Sequence, residues 1–275
     1  MRLFGLIGFP LSHSFSEKYF AEKFLREGIK DALYKAFPIT DISLVPDLVK
    51  SHPDLRGFNV TIPYKEQIIP LLDELDETAR VVGAVNCVVL SAQSPDTRQV
   101  RDLTAPTPVS PLPTPILTGY NTDVHGFRQS LKPFLASHHE RALILGTGGA
   151  AKAVEYVLRT IGVECVFVTR HLERSREAGF QGKTMLTYAD LNEHVMAMCK
   201  LIVNCTPVGT FPNENAAPEI PYEFVTEQHF LYDLVYNPAE TEFIKRGKAK
   251  GALTLNGLDM LKMQAEEAWR IWNQV

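Results

Sequence analysis

The stretch Ala142-Leu143-Ile144-Leu145-Gly146-Thr147-Gly148-Gly149-Ala150-Ala151 decides how the chain is read. Four apolar residues describe a buried strand, and the glycines after them form a turn that opens the helical run Ala150 to Arg159. The pattern is GxGxxA in a strand–turn–helix setting, the context that separates a dinucleotide-binding loop from a chance match. Gly146 then supplies the tight turn, Gly148 lets backbone N–H groups approach a pyrophosphate, and small Ala151 allows the helix to pack close to the strand. The start of the helix, at Gly149 and Ala150, offers free N–H groups and a positive dipole end to phosphates.

The end of the next strand selects the dinucleotide. NAD enzymes usually place Asp or Glu there for the ribose 2′-OH. Here the strand Cys165 to Val168 runs into Thr169-Arg170, and Arg174 follows one turn later. Glu164, the nearest upstream acid, begins the strand, roughly 15 Å away at about 3.3 Å per residue. Two guanidiniums and no carboxylate suit a 2′-phosphate, so the expected cofactor is NADP.

Working outward, strands at Leu201–Asn204 and Phe230–Leu234, a helix from about Glu240 and a last amphipathic helix Leu258–Ile271 complete an alternation of β and α. Such repeats make a doubly wound sheet. Toward the N-terminus, strand Leu3–Ile7 precedes a helix opened by the capping box Ser14/Glu17, with Phe15, Tyr19, Phe20 and Phe24 as its apolar face and Gly28 at its end. Strand Leu33–Phe37, a helix near Leu44–Lys50, strand Gly57–Val60 and a helix entered at Pro63 follow, which implies largely parallel strands. Between Ser91 and Thr118 six prolines sit among Ser, Thr and charged residues without apolar periodicity, reading as an extended hairpin tip. A surface loop is the plainer reading of this tract, and a lid or docking role the sharper one.

At roughly 150 residues per domain, 275 residues point to two domains. A 45% hydrophobic content excludes a disordered or fibrous chain, and a net charge of −4 without long runs of one sign does not advertise nucleic-acid binding. The four cysteines form no CxxC pair and no cluster at metal-ligand spacing, so no metal is expected and a cytoplasmic setting is the simplest. The apolar start Leu3–Leu11 is too short for a membrane span.

Polar clusters sit at strand ends: Ser12-His13-Ser14, Asn59-Val60-Thr61-Ile62-Pro63-Tyr64-Lys65, Asn86 and Asn121-Thr122-Asp123. α/β sites are built at such ends. With Asn204-Cys205-Thr206-Pro207-Val208-Gly209 and Gly257-Leu258-Asp259-Met260-Leu261 plus Gln264, they resemble the shikimate dehydrogenase family over nearly the whole chain. The resemblance implies an α/β fold of two domains. Residues 1–120, with 257–275 returning to them, would bind substrate, and residues 121–256 would form a Rossmann-type NADP domain.

It also implies NADPH-dependent reduction of 3-dehydroshikimate to shikimate. Ser12 and Ser14 would hold the substrate carboxylate. Asn59, Thr61, Asn86, Asp123 and Gln264 would bind ring hydroxyls, with Lys65 and Asp123 as the catalytic pair and Lys65 on a helix's first turn. Gly146, Gly148, Gly149, Ala150, Thr169, Arg170, Arg174, Thr206 and Gly257 would contact the cofactor. Cys205 reads as a packing residue, since free cysteine is ordinarily buried and apolar in behaviour.

Three departures stand out. Thr169 and His171 flank Arg170 where the family has Asn and Thr, Val124 follows Asn-Thr-Asp where the family commonly has Gly, and the Pro-rich tract is long. The competing readings are a quinate/shikimate dehydrogenase preferring NAD, a cofactor-binding protein without catalysis, and a two-lobed methylenetetrahydrofolate dehydrogenase. No nucleic acid or membrane is expected as a partner, and a monomer or homodimer fits equally.

Overall fold

Leu3, Phe4, Leu6 and Ile7 make both faces of β1 (Arg2–Gly8) apolar, as a strand flanked on both sides requires. The computed structural model describes residues 1–11, 15–92 and 115–274, so the Ser12–Ser14 cluster and most of the Pro-rich tract lie outside the described residues. The chain divides into two units, residues 1–121 with 268–275 and residues 122–267.

In the first unit β1 is followed by α1 (Phe15–Glu27), β2 (Ala32–Pro38), α2 (Val45–Ser51), β3 (Leu55–Val60), β4 (Glu74–Leu75), α3 (Glu77–Val82), β5 (Cys87–Ser91) and β6 (Ile116–Tyr120). The sheet order is β2-β1-β3-β5-β6-β4. β1, β2 and β3 are parallel as expected, whereas β5 runs antiparallel to both β3 and β6. β5 and β6 are hairpin partners flanking the Pro-rich tract, and β5 enters the sheet beside β3 without a crossover returning the chain to its starting edge.

The helix expected at Pro63 is absent. Residues 61–72 instead form successive turns and a short 3-10 segment at Ile69–Leu71. Pro70 lacks an N–H and disfavours the helical conformation of the residue before it, so a regular helix cannot propagate through this segment. α3, missed in the sequence reading, is bounded by ordinary signals. Asp76 accepts from the Thr78 and Ala79 N–H groups, and Gly83 ends the helix at φ 68°.

The second unit contains α4 (Thr122–Leu131), β7 (Arg141–Leu145), α5 (Gly149–Thr160), β8 (Glu164–Val168), α6 (Leu172–Ser175), β9 (Met185–Leu186), α7 (Glu193–Met198), β10 (Leu201–Asn204), β11 (Phe230–Asp233), α8 (Glu242–Ala249), β12 (Leu253–Leu255) and most of α9 (Leu258–Trp272). All its strand pairings are parallel, in the order β12-β11-β10-β7-β8-β9. Counted from β7, this is the 3-2-1-4-5-6 order of a Rossmann sheet, whose switch point lies between β7 and β10.

Asp233 closes the carboxyl end of that sheet. It is fully buried and accepts from Asn204 Nδ2 at 2.9 Å, Val235 N at 3.0 Å and Thr241 Oγ1 at 2.5 Å. Asn204 in turn accepts, through Oδ1, from Thr206 N at 3.0 Å and Thr206 Oγ1 at 2.6 Å. The turns after β10 and β11 are thereby tied to one carboxylate. Burial pushes that carboxyl from 3.8 up to about 6, against the opposing pull of its three donors.

The last turns of α9 belong to the first unit. Trp272 stacks on Phe4 with ring centroids 4.9 Å apart and donates Nε1–H to Val88 O at 3.0 Å, so it fastens β1 and β5 together. Trp272→Ala should therefore cost the fold about 3–5 kcal/mol, read by urea unfolding.

Asp233 gives a prediction with a definite sign. A native carboxyl raised above its unfolded value binds protons that the unfolded chain has released, so its contribution to stability increases as pH falls from about 6 toward 4. In urea titrations at pH 7 and pH 4, the stability of the wild type relative to Asp233→Asn should rise by up to about 3 kcal/mol on acidification.

Candidate active site

Thr61 leaves β3 with its N–H on Ile7 O at 2.9 Å, fixing where the segment carrying Lys65 departs from the sheet. Tyr64 is buried and donates its hydroxyl to Ile39 O at 2.9 Å, while Lys65 O accepts from Val85 N at 2.7 Å. Lys65 thus sits on a turn held at two adjacent residues. Its half-buried side chain follows an anchored tyrosine rather than a helix's first turn.

Asn59 and Asn86 meet in the same unit. Asn59 Oδ1 accepts from Tyr34 Oη at 2.9 Å, and its Nδ2 donates to Asn86 O at 3.1 Å. Asn86 also binds Val60 N and Tyr120 O through its backbone, so β3, β5 and β6 converge on this pair. Asn121 Nδ2 donates to Ala84 O at 2.8 Å and fixes the chain just before Thr122.

In the second unit Asp123 lies in the first turn of α4 and is 6% exposed. A carboxylate is favoured at that end of a helix. Val124 is a buried residue of the same helix, and no described non-glycine residue has positive φ, so the helix accepts valine without distortion. Gln264, also buried, accepts from Thr122 Oγ1 at 3.2 Å and donates Nε2–H to Leu261 O at 3.0 Å. The structure therefore ties Gln264 to the start of the helix that carries Asp123.

The glycine loop lies where the 3-2-1-4-5-6 order places a ligand. Gly146 adopts φ 102°, a conformation other residues rarely reach, and its N–H binds Val168 O at 2.9 Å. Gly148 precedes α5, and a Cβ added there would touch no protein atom, so the requirement for glycine is not internal packing. Gly149 begins α5, Ala150 follows it, and Ala151 is fully buried against the sheet.

A cleft of about 350 Å³ is lined by Gly146, Thr147, Gly148, Thr169, Arg170, His171, Arg174, Tyr188 and Thr206. Buried Ser175, unflagged in the sequence, joins Thr147 Oγ1 at 3.1 Å and Thr169 Oγ1 at 2.9 Å, fastening the loop after β8 to the glycine turn. Burial raises the Tyr188 phenol and keeps it uncharged in this cleft.

Burial also pushes the Cys205 thiol well up, which suits a packing role and not a thiolate. Gly257 does not line the cleft. A side chain there would collide with Leu234 O at 2.1 Å, so its glycine is explained by close backbone approach. Among the described residues no cluster of His, Cys, Asp and Glu could hold a metal, and no helix is long and apolar enough to cross a membrane. Asp233, Ser175 and Tyr188 were missed in sequence. Of these only Asp233 carries a signal, an acid at the carboxyl end of an apolar strand.

A family model described as the shikimate dehydrogenase substrate binding domain matches residues 6–88. The shikimate dehydrogenase (NADP(+)) of Carboxydothermus hydrogenoformans is 36% identical over 282 residues, spanning 100% of this chain and 92% of that protein. The crystal structure of shikimate dehydrogenase from Aquifex aeolicus matches with a TM-score of 0.80 and 32% identity, covering 100% of this chain and 93% of that one. Shikimate 5-dehydrogenase from Thermus thermophilus, solved in complex with NADP(H) and shikimate, matches with a TM-score of 0.79 and 31% identity, covering 100% and 94%. Identity of this order along the full length, joined to the glycine loop at a Rossmann switch point, means that the chain belongs to the shikimate dehydrogenase family.

Proposed function

We propose that this protein catalyses the NADPH-dependent, reversible reduction of 3-dehydroshikimate to shikimate, a step of aromatic amino acid biosynthesis. The observation that carries the cofactor reading is the cleft in which the glycine loop faces Arg170 and Arg174, neither of which has an ion-pair partner among the described residues. Uncompensated guanidiniums beside a phosphate-binding turn suit a 2′-phosphate and disfavour the NAD-preferring quinate reading. Gly146, Gly148, Gly149 and Ala150 would hold the pyrophosphate, and Thr169, Arg170 and Arg174 the adenine ribose. Thr206 would contribute packing, and Gly257 would support the site through its approach to Leu234.

When bound, NADPH supplies the hydride that reduces the C3 carbonyl. Lys65 stabilises the negative charge developing on the carbonyl oxygen and donates a proton to it, and takes the proton back in the reverse direction. Asp123 orients substrate and lysine. Asn59, Thr61, Asn86 and Gln264 hold ring hydroxyls, and Ser12 and Ser14 the carboxylate. In this reading residues 1–120 with 257–275 are the substrate domain and 121–256 the NADP domain. The enzyme works in the cytoplasm as a monomer or homodimer.

Lys65→Ala should lower kcat by roughly 10²- to 10⁴-fold with little change in KM, measured by nicotinamide absorbance with shikimate and NADP. A steep rise in KM at constant kcat would make the lysine a binding residue only. Arg170→Ala should reduce the ratio of kcat/KM for NADP over NAD by roughly tenfold or more, the loss of one charge-assisted contact. An unchanged ratio removes the 2′-phosphate assignment, and faster turnover of quinate with NAD than of shikimate with NADP restores the competing reading.

A further inference from the structure

Three nitrogen-bearing side chains follow the carboxyl end of β8: Arg170, His171 and, one turn later, Arg174. All three line the cleft of the glycine loop, and all three also line an adjoining hollow of about 590 Å³ bounded by Leu172, Glu173 and Thr187. None takes part in an ion pair among the described residues. Glu173, the carboxylate lying between them in sequence, is held by Arg176 at 2.8 Å.

Among the described residues the His171 imidazole makes no hydrogen bond or ion pair. His171 occupies the N-cap position of α6 but makes no side-chain capping bond, and its backbone N–H donates to Thr169 Oγ1 at 3.3 Å. Caps are usually Ser, Thr, Asp or Asn because their oxygens accept from the helix. An exposed imidazole at this position is better explained by what enters the cleft.

We propose that His171 is a proton-dependent specificity residue, which binds the 2′-phosphate of NADP beside Arg170 and Arg174 and strengthens the preference for NADP over NAD as pH falls. This rests on the reading that the two arginines face that phosphate. Histidine is the side chain whose charge ordinarily changes between pH 5 and 8.

Among the described residues that line the two hollows, few carry charge, and Glu219 lies near enough to Tyr188 to act on its phenol. Arg170 and Arg174 flank His171, Glu173 is occupied by Arg176, and Tyr188 stays neutral, while Thr169, Ser175, Thr187 and the glycine turn carry no charge. A phosphate dianion brought among these groups supplies the counter-charge that an imidazolium needs, so binding and proton uptake are coupled.

The test is calorimetry with adenosine 2′,5′-bisphosphate and adenosine 5′-monophosphate at pH 6.5 and 8.0, in buffers of differing ionisation enthalpy, on the wild type, His171→Asn and Arg170→Ala. The phosphates' own second ionisation, near pH 6, is common to all proteins and cancels in the comparison. The wild type should bind the bisphosphate about three- to fivefold tighter at pH 6.5 than at 8.0 relative to His171→Asn, and should take up protons that the variant does not. The monophosphate should show no such difference.

Identical pH dependence and proton uptake in His171→Asn would overturn the proposal while Arg170→Ala still weakened bisphosphate binding. If the wild type bound both adenosine ligands equally and Arg170→Ala changed nothing, the underlying 2′-phosphate reading would fall with it.

Discussion

A carboxylate with no exposed surface persists at the end of β11 because three donors reach it, and the geometry of the Rossmann switch point follows from that requirement. An ionised Asp233 can only accept, so the amide of Asn204 must turn its NH₂ toward it and its oxygen away. That oxygen then takes both the N–H and the hydroxyl hydrogen of Thr206. With its hydroxyl spent, Thr206 presents its methyl to the glycine turn, where Cγ2 lies 2.9 Å from where a Cβ on Gly146 would stand. The positive φ of Gly146 and the orientation of Thr206 are thus two consequences of packing one turn against another. The Thr241 hydroxyl, which donates to Asp233, also caps α8, so the same carboxylate registers a helix start.

On the other side of the glycine loop the restraint is neutral. Ser175 bridges Thr147 and Thr169 through hydroxyls alone, so the glycine turn and the turn that carries Arg170 are joined without a charge being consumed. The guanidiniums stay available because local carboxylates are engaged elsewhere: Glu173 with Arg176, and Glu164 with Arg141 at the far end of β8. A cleft that withholds counter-charges as well as supplying cations is electrostatically suited to an anion.

The elements that were legible in the sequence have local causes. The glycine loop, the apolar runs of β7, β8 and β10 and the amphipathic α9 each declare themselves within about a dozen residues, and their alternation implies a doubly wound sheet. The failures were nonlocal. Pro70 limits how far a helix entered at Pro63 could run, but nothing in that stretch reports that Tyr64 will reach Ile39 and that Lys65 O will bind Val85, so the segment read as a helix when it is a chain of turns. Trp272 lies one residue past the expected end of α9, and its worth comes from Phe4 and Val88, more than 180 residues upstream. β4, β9 and β12 are two or three residues long and carry no periodicity to detect.

Asn59 shows why a site residue named from sequence is seldom only that. Burial holds the Tyr34 phenol well above its ordinary range, so it remains a donor and claims Asn59 Oδ1. The amide orientation is then settled, and Nδ2 spends one hydrogen on Asn86 O. The direction of its second N–H is then dictated by an aromatic residue on β2 that no strand-end motif contains. The logic repeats that of Asn204: a neighbour able to play only one hydrogen-bonding role fixes a side chain able to play two. Polar groups at strand ends can recognise a ligand with precision because the residues behind them have removed their alternatives.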